Sequence, residues 1–238
     1  MNDLEKIIND AWEIKDQINK NSDKSIIETI NQIIEDLDAV FGQVSKRMGE
    51  YISKKLNVDL KEAKELQRTY FHQYNTSLNG LMIHHKINPN EFLKYVHDIN
   101  LDFLEKDTVL REDLLNLDAK KFVYTNGPRD HVKNITKHLG IDDLFDGIFD
   151  IVDGQFFPKP QIEPFKILIK KFEISPEETV FIEDIAKNLS PGKELGLKTV
   201  WLINNEYWGK QDSDKNFIDL KIENLSSFLK QIRLLQAA

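Results

Sequence analysis

Cysteine is absent from the sequence, which excludes disulfides, a thiolate nucleophile and thiolate metal sites and fits a reducing compartment. No stretch approaches the roughly 20 apolar residues that span a bilayer. The opening Met1-Asn2-Asp3-Leu4-Glu5 is acidic and amphipathic, without the apolar run of a secretory leader. The expectation is a cytoplasmic protein with no membrane partner. Basic stripes are missing too: 32 Lys and Arg are interleaved with 40 Asp and Glu for a net charge of -8, which offers nothing for nucleic-acid binding. Low-complexity tracts and internal repeats are also lacking. What is present, 40% hydrophobic and 30% charged residues in a chain of 238, suits one α/β domain and a small second module.

The first half reads as helix. Leu4, Ile7, Ile8, Ala11, Ile14 and Ile18 share one helical face, and Asn21-Ser22-Asp23 interrupts the pattern. Ser25-Ile26-Ile27-Glu28 then has the form of a capping box, with Ile30, Ile33, Ile34 and Leu37 continuing at helical spacing. This predicts a helical hairpin over residues 1–38. Val44, Met48, Ile52 and Leu56 make a further stripe, Asp59 with Glu62 opens another helix, and Asn88-Pro89 supplies a cap followed by proline at the first helical position. Residues 39–110 are therefore expected to form a compact all-helical module.

Near residue 120 the period changes. Phe122-Val123-Tyr124, Ile148-Phe149-Asp150-Ile151, Val180-Phe181-Ile182 and Val200-Trp201-Leu202-Ile203 are short apolar runs, separated by helical stretches over 129–139, 161–172 and 186–196. A final helix covers 223–234. This alternation predicts an α/β fold over 111–238, a Rossmann-like parallel sheet with helices on its faces.

Ligands of open α/β sheets bind at the strand ends, and three of these carry polar residues. Thr125-Asn126-Gly127 offers a hydroxyl, an amide and a glycine that lets backbone approach a phosphoryl oxygen; the plainer alternative is a strand-to-helix turn. Pro158-Lys159-Pro160 holds a lysine on stiff, extended backbone, suited to neutralising a phosphate; the plainer alternative is a surface lysine. Glu183-Asp184, with Asn188 following, provides hard oxygen ligands of the kind Mg²⁺ takes; equally, such acids favour a helix N-terminus. Tyr70, Phe71 and Tyr74 sit at a spacing that serves either base stacking or the core, and His84-His85 lacks metal-ligand spacing but is available to touch substrate.

Taken in order, Thr-Asn-Gly, Pro-Lys-Pro and Glu-Asp with a later Asn resemble three of the four motifs of the haloacid dehalogenase-like superfamily. His138-Leu139-Gly140-Ile141, Leu144-Phe145-Asp146-Gly147-Ile148-Phe149-Asp150 and Lys187-Asn188-Leu189 are similar to its pyrimidine 5'-nucleotidase branch, as are Lys46-Arg47-Met48, Gly80-Leu81-Met82-Ile83-His84 and Tyr95-Val96-His97-Asp98-Ile99. The resemblance spans residues 40 to 205. It implies a Mg²⁺-dependent phosphomonoesterase acting on pyrimidine nucleoside monophosphates, with the helical module as an inserted cap. Thr125 would bond the phosphoryl group, with Asn126 and Gly127 beside it, and Lys159 would neutralise it. Asp184, with Glu183 and Asn188, would hold the metal. Such enzymes work through an aspartyl-phosphate and by charge stabilisation.

One motif departs. The resemblance requires a nucleophilic aspartate, with an acid/base aspartate two residues on, at the end of a buried central strand. The chain has Asp36-Leu37-Asp38-Ala39-Val40, which fits the loose pattern Asp-x-Asp-x-(Thr or Val). The run before it, Asn31-Gln32-Ile33-Ile34-Glu35, lacks the near-continuous apolar stretch of a buried parallel strand and belongs to the helical stripe from Ile26. Residues 7–13 and 27–38 instead resemble the N-terminal helical segment of tetrahydrodipicolinate N-succinyltransferase, which implies a fusion with its seam near Asp38-Ala39. The central first strand is then missing or replaced by helix. Its loss would forfeit about four buried apolar side chains at roughly 1.5–3 kcal/mol each, against a domain stability of about 5–15 kcal/mol.

Overall fold

A computed structural model of the protein describes residues 24–204 and 206–236. Residues 1–23, the first arm of the expected hairpin, lie outside these described residues. The chain enters as one uninterrupted helix, α1 (Lys24–Leu56), which runs straight through the Asp38-Ala39 position where the seam was expected. No proline falls within it, and Asn57, with φ of +54°, ends it in the left-handed region. Asp36-Leu37-Asp38 is therefore helical, not a strand end.

Three short helices complete the cap, each started by a side chain that accepts from an otherwise unpaired amide. Asp59 accepts from the Glu62 amide at 2.8 Å to open α2 (Leu60–Tyr74). Thr76 accepts from the Asn79 amide at 3.1 Å to open α3 (Ser77–His85). Asn88 does the same for α4 (Pro89–Val96), which has proline in its first turn. Their apolar faces meet in one cluster containing Tyr51, Ile52, Tyr70, Leu81, Phe92 and Val96. Gly80 is required there, since a Cβ would collide with the Tyr70 ring. Ile151 and Phe156, from the core, pack into the same cluster and join the two modules. The expected 110/111 boundary falls inside α5 (Thr108–Leu115), which packs through Leu110 and Leu114 with Ile141 and Leu229.

The α/β half follows the expected alternation: β1 (Phe122–Tyr124), α6 (Arg129–Leu139), β2 (Gly147–Phe149), α7 (Ile162–Lys171), β3 (Val180–Glu183), α8 (Ser190–Glu194), β4 (Lys198–Leu202), β5 (Leu220–Ile222) and α9 (Leu225–Gln236). The stretch 186–196 is not one helix but a 3₁₀ turn, Ala186–Leu189, followed by the five-residue α8. All strand pairs are parallel, yet among the described residues they form two sheets, β1-β2 and β3-β4-β5.

The alternation of a strand's backbone groups fixes which way the free edges point. The Thr125 amide donates to Phe149 on β2, so Phe122 and Tyr124 turn theirs the other way. Thr179 accepts from the β4 amide of Lys198, so Val180 and Ile182 face away from β4. These two edges, unpaired by any described strand, look at one another across the Lys159 side chain, whose Nζ lies 3.2 Å from the Tyr124 carbonyl and 2.5 Å from Glu183. Beneath it Tyr124, Phe165 and Phe181 form an aromatic wedge, with ring centroids 5.1, 5.3 and 6.2 Å apart. The sheet is thus split where the resemblance places its central strand.

Candidate active site

The candidate residues converge at the carboxyl ends of β1 and β3. Thr125 leaves β1 and its hydroxyl accepts from the Gly127 amide at 2.9 Å, folding the Thr-Asn-Gly turn back on itself. The Asn126 side-chain carbonyl accepts from the Lys159 amide at 2.9 Å. This tie positions Lys159, which is 7% exposed. Its ammonium, besides contacting Tyr124 and Glu183, lies 4.9 Å from the Tyr124 ring centroid and 5.8 Å from that of Phe181. Both the paired carboxylate and the ring faces attract a cation. An ammonium has three donors; the two contacts leave one for a phosphoryl oxygen.

Glu183 is 8% exposed and Asn188 2%. Glu183 receives Lys159 on one oxygen and the Asn188 amide nitrogen on the other, at 3.0 Å. Asp184 is different. Its carboxylate has the Asn204 amide at 3.3 Å, and burial, then the neighbouring Glu183 charge, pushes its pKa up to about 6. The Tyr124 hydroxyl is buried without a hydrogen-bond partner, and burial with the Glu183 charge raises its pKa.

The cap faces this cluster through Asn75, which accepts from Lys187 Nζ at 3.0 Å, and Phe71, whose ring centroid is 6.0 Å from the same ammonium. Tyr70, Tyr74, His84 and His85 are engaged with one another instead. Tyr70 bonds His85 at 2.7 Å, Tyr74 bonds His84 at 2.6 Å, and the Tyr70 and His84 rings stack at 5.3 Å. Two histidines outside the sequence motifs' chemistry do approach the Thr125–Gly127 turn: His97, closing α4, and His131, in the first turn of α6, with ring centroids 4.5 Å apart. Nothing in their spacing announces the pair, because 33 residues and a change of module lie between them.

Over residues 16–202 the sequence matches the haloacid dehalogenase-like hydrolase family. The chain belongs to that family. It is 28% identical over 209 residues to phosphate metabolism protein 8 of Saccharomyces cerevisiae, covering 79% of this chain and 64% of that one, and so spans less than two thirds of that relative. Against the glyceraldehyde 3-phosphate phosphatase of Methanocaldococcus jannaschii it is 24% identical over 242 residues, 98% of this chain and 96% of that one. The crystal structure of a HAD phosphatase from Thermococcus onnurineus shares the fold, with a TM-score of 0.52 at 19% identity over 83% of this chain and 90% of that one. A stretch of 49 residues is also 51% identical to the 2,3,4,5-tetrahydropyridine-2,6-dicarboxylate N-succinyltransferase of Pelagibacter ubique, covering 21% of this chain and 18% of that protein. No described helix is long and apolar enough to cross a membrane.

The family resemblance implies Mg²⁺, and the donor set does not fit it as a self-standing site. Among the described residues no three Asp, Glu or His side chains come together to hold a metal. Glu183 and Asn188 are committed to Lys159 and to each other. Asp184, with the Asn204 amide at 3.3 Å, is the carboxylate of the expected set that has no ion-pair partner among the described residues.

Proposed function

We propose that this family member binds phosphomonoesters, with pyrimidine nucleoside monophosphates as its ligand class, and that its hydrolytic step is impaired. The observation that carries the reading is the split sheet. Lys159 bridges β1 and β3 where the resemblance needs a nucleophile-bearing strand, and Asp36-Leu37-Asp38 lies in α1. The Thr125 hydroxyl, the Gly127 backbone and the third donor of Lys159 would take phosphoryl oxygens, as charge-assisted hydrogen bonds do best in a dry pocket. Asp184 would be the ligand of any Mg²⁺ that arrived with the phosphate, since Mg²⁺ readily keeps waters and substrate oxygens in its shell. The pyrimidine preference rests on the resemblance carried by Lys46-Arg47-Met48, Tyr95-Val96-His97 and Lys187-Asn188-Leu189.

Calorimetric titration of uridine monophosphate into the protein and into Lys159→Met tests this. The expected result is binding to the parent, weakened at least about tenfold in the variant, as the loss of one charged hydrogen bond implies. Equal affinity in both would remove Lys159 from the site.

A further inference from the structure

Three groups close around one point beside Gly127. A Cβ built there would stand 3.3 Å from Thr125 Oγ1, 3.7 Å from His97 Nε2 and 3.7 Å from His131 Cδ2. The absence of a side chain at this position therefore keeps open a small space walled by a hydroxyl and two imidazoles. One ring comes from the cap and the other from the core.

The two rings arrive with their nitrogens differently engaged. His97 Nδ1 lies 3.0 Å from the Leu93 carbonyl; a carbonyl only accepts, so Nδ1 carries the proton and Nε2 faces the Gly127 turn with its lone pair. His131 makes no hydrogen bond among the described residues and is half-buried. Neither ring has a carboxylate partner among the described ion pairs. Burial lowers the pKa of both, that of His131 to about 4, with the His97 charge as the second cause. Burial thus favours the neutral form of each ring, and two neutral rings touch without repulsion while offering one donor and one acceptor to a ligand.

We propose that His97 and His131 are ligand-binding residues that grip the phosphoryl group held by Thr125, His131 donating to a phosphoryl oxygen and His97 Nε2, from the cap, accepting from the P–OH of the same group. The proposal rests on the reading of the Thr125–Gly127 turn as a phosphate site and adds the second wall of that site. A phosphate bound there links cap to core through its own oxygens.

The probe is inorganic phosphate. Histidine ring ¹⁵N spectra of the full chain are recorded during phosphate titration, and dissociation constants are measured for the parent and for His131→Gln, His97→Gln, Thr125→Val and His138→Gln. The expected result is a saturable shift of the His97 and His131 ring nitrogens, with His138 unmoved. Affinity falls about tenfold in His131→Gln, in line with one hydrogen bond to a charged group, falls in His97→Gln and Thr125→Val, and is unchanged in His138→Gln. The spectra of the parent do not depend on whether a variant folds. Loss of affinity in Thr125→Val with both rings unmoved overturns the histidine pair and leaves the phosphate turn standing. No binding to the parent overturns both.

Discussion

Strands β3 and β4 are neighbours of similar composition, Val180-Phe181-Ile182-Glu183 beside Lys198-Thr199-Val200-Trp201-Leu202, yet their fates differ. In β4, Thr199, Val200 and Trp201 are all buried and both edges are paired. In β3 only Glu183 is buried, and in β1 no residue is. Apolar sequence alone does not bury a strand; a neighbour on each side does, and among the described residues β1 and β3 each lack one. The substitute is chemical: one lysine and three aromatic rings span the place of a strand. The arrangement joins the two half-sheets by side chains while leaving Phe122, Tyr124, Val180 and Ile182 with backbone groups unpaired by any described strand.

The gap is most vulnerable at Lys159. Lys159→Met leaves Glu183 buried without its partner and is expected to cost about 3–5 kcal/mol in urea unfolding. Adding Glu183→Gln should recover part of that loss, so the two changes together cost less than their sum. A purely additive outcome would mean that the pair does not hold the half-sheets together.

Asp184, at the end of β3, gives the next effect. Its folded pKa of about 6 lies above the ordinary 3.8, so the folded chain holds that proton more tightly than the unfolded one. Its contribution is fully present below pH 4 and is lost as pH rises through about 6, by at most about 3 kcal/mol. Asp184→Asn should flatten that slope. An unchanged pH dependence of unfolding would show that the carboxylate is not desolvated.

The smallest effect separates two valines, one on each strand. Val200→Ala, at a fully buried position of β4, should cost about 2 kcal/mol, and Val180→Ala, on the gap edge, about 1 kcal/mol or less. Hydrogen exchange should follow the same order, with the Ile182 and Tyr124 amides exchanging faster than that of Val200. Strong protection of residues 179–183 would mean that the edge is paired.

Much of the fold is legible in the sequence. The capped cap helices and the four apolar runs stand where their periods place them, because local capping and pleat spacing decide such elements. Leu220-Lys221-Ile222 gives no such warning, since three alternating residues carry no signal above background, and the strand forms only because β4 offers an edge. The helical stripe from Ile26 to Leu37 points correctly to helix at Asp36. Its continuation to Leu56 is masked by Asp38-Ala39, where two resemblances meet without any break in the backbone. Glu183 has the motif position of a metal ligand, and in the fold it pairs with Lys159; that contact depends on how β1 and β3 come together and is invisible to spacing. The His97–His131 contact needs cap and core to be docked, and so no one-dimensional pattern contains it.

The backbone of Asp36 is helical, within α1, and the proposed reading is that Asp36 does not serve as a nucleophile. Phosphate release from uridine monophosphate with Mg²⁺, on the folded and monodisperse chain beside Asp36→Asn and Lys159→Met, tests this most directly. The expected result is phosphate release indistinguishable from buffer in all three, with binding retained by the parent and by Asp36→Asn. Turnover in the parent that both substitutions abolish would contradict it, since Asp36 would then have to reach the gap between β1 and β3.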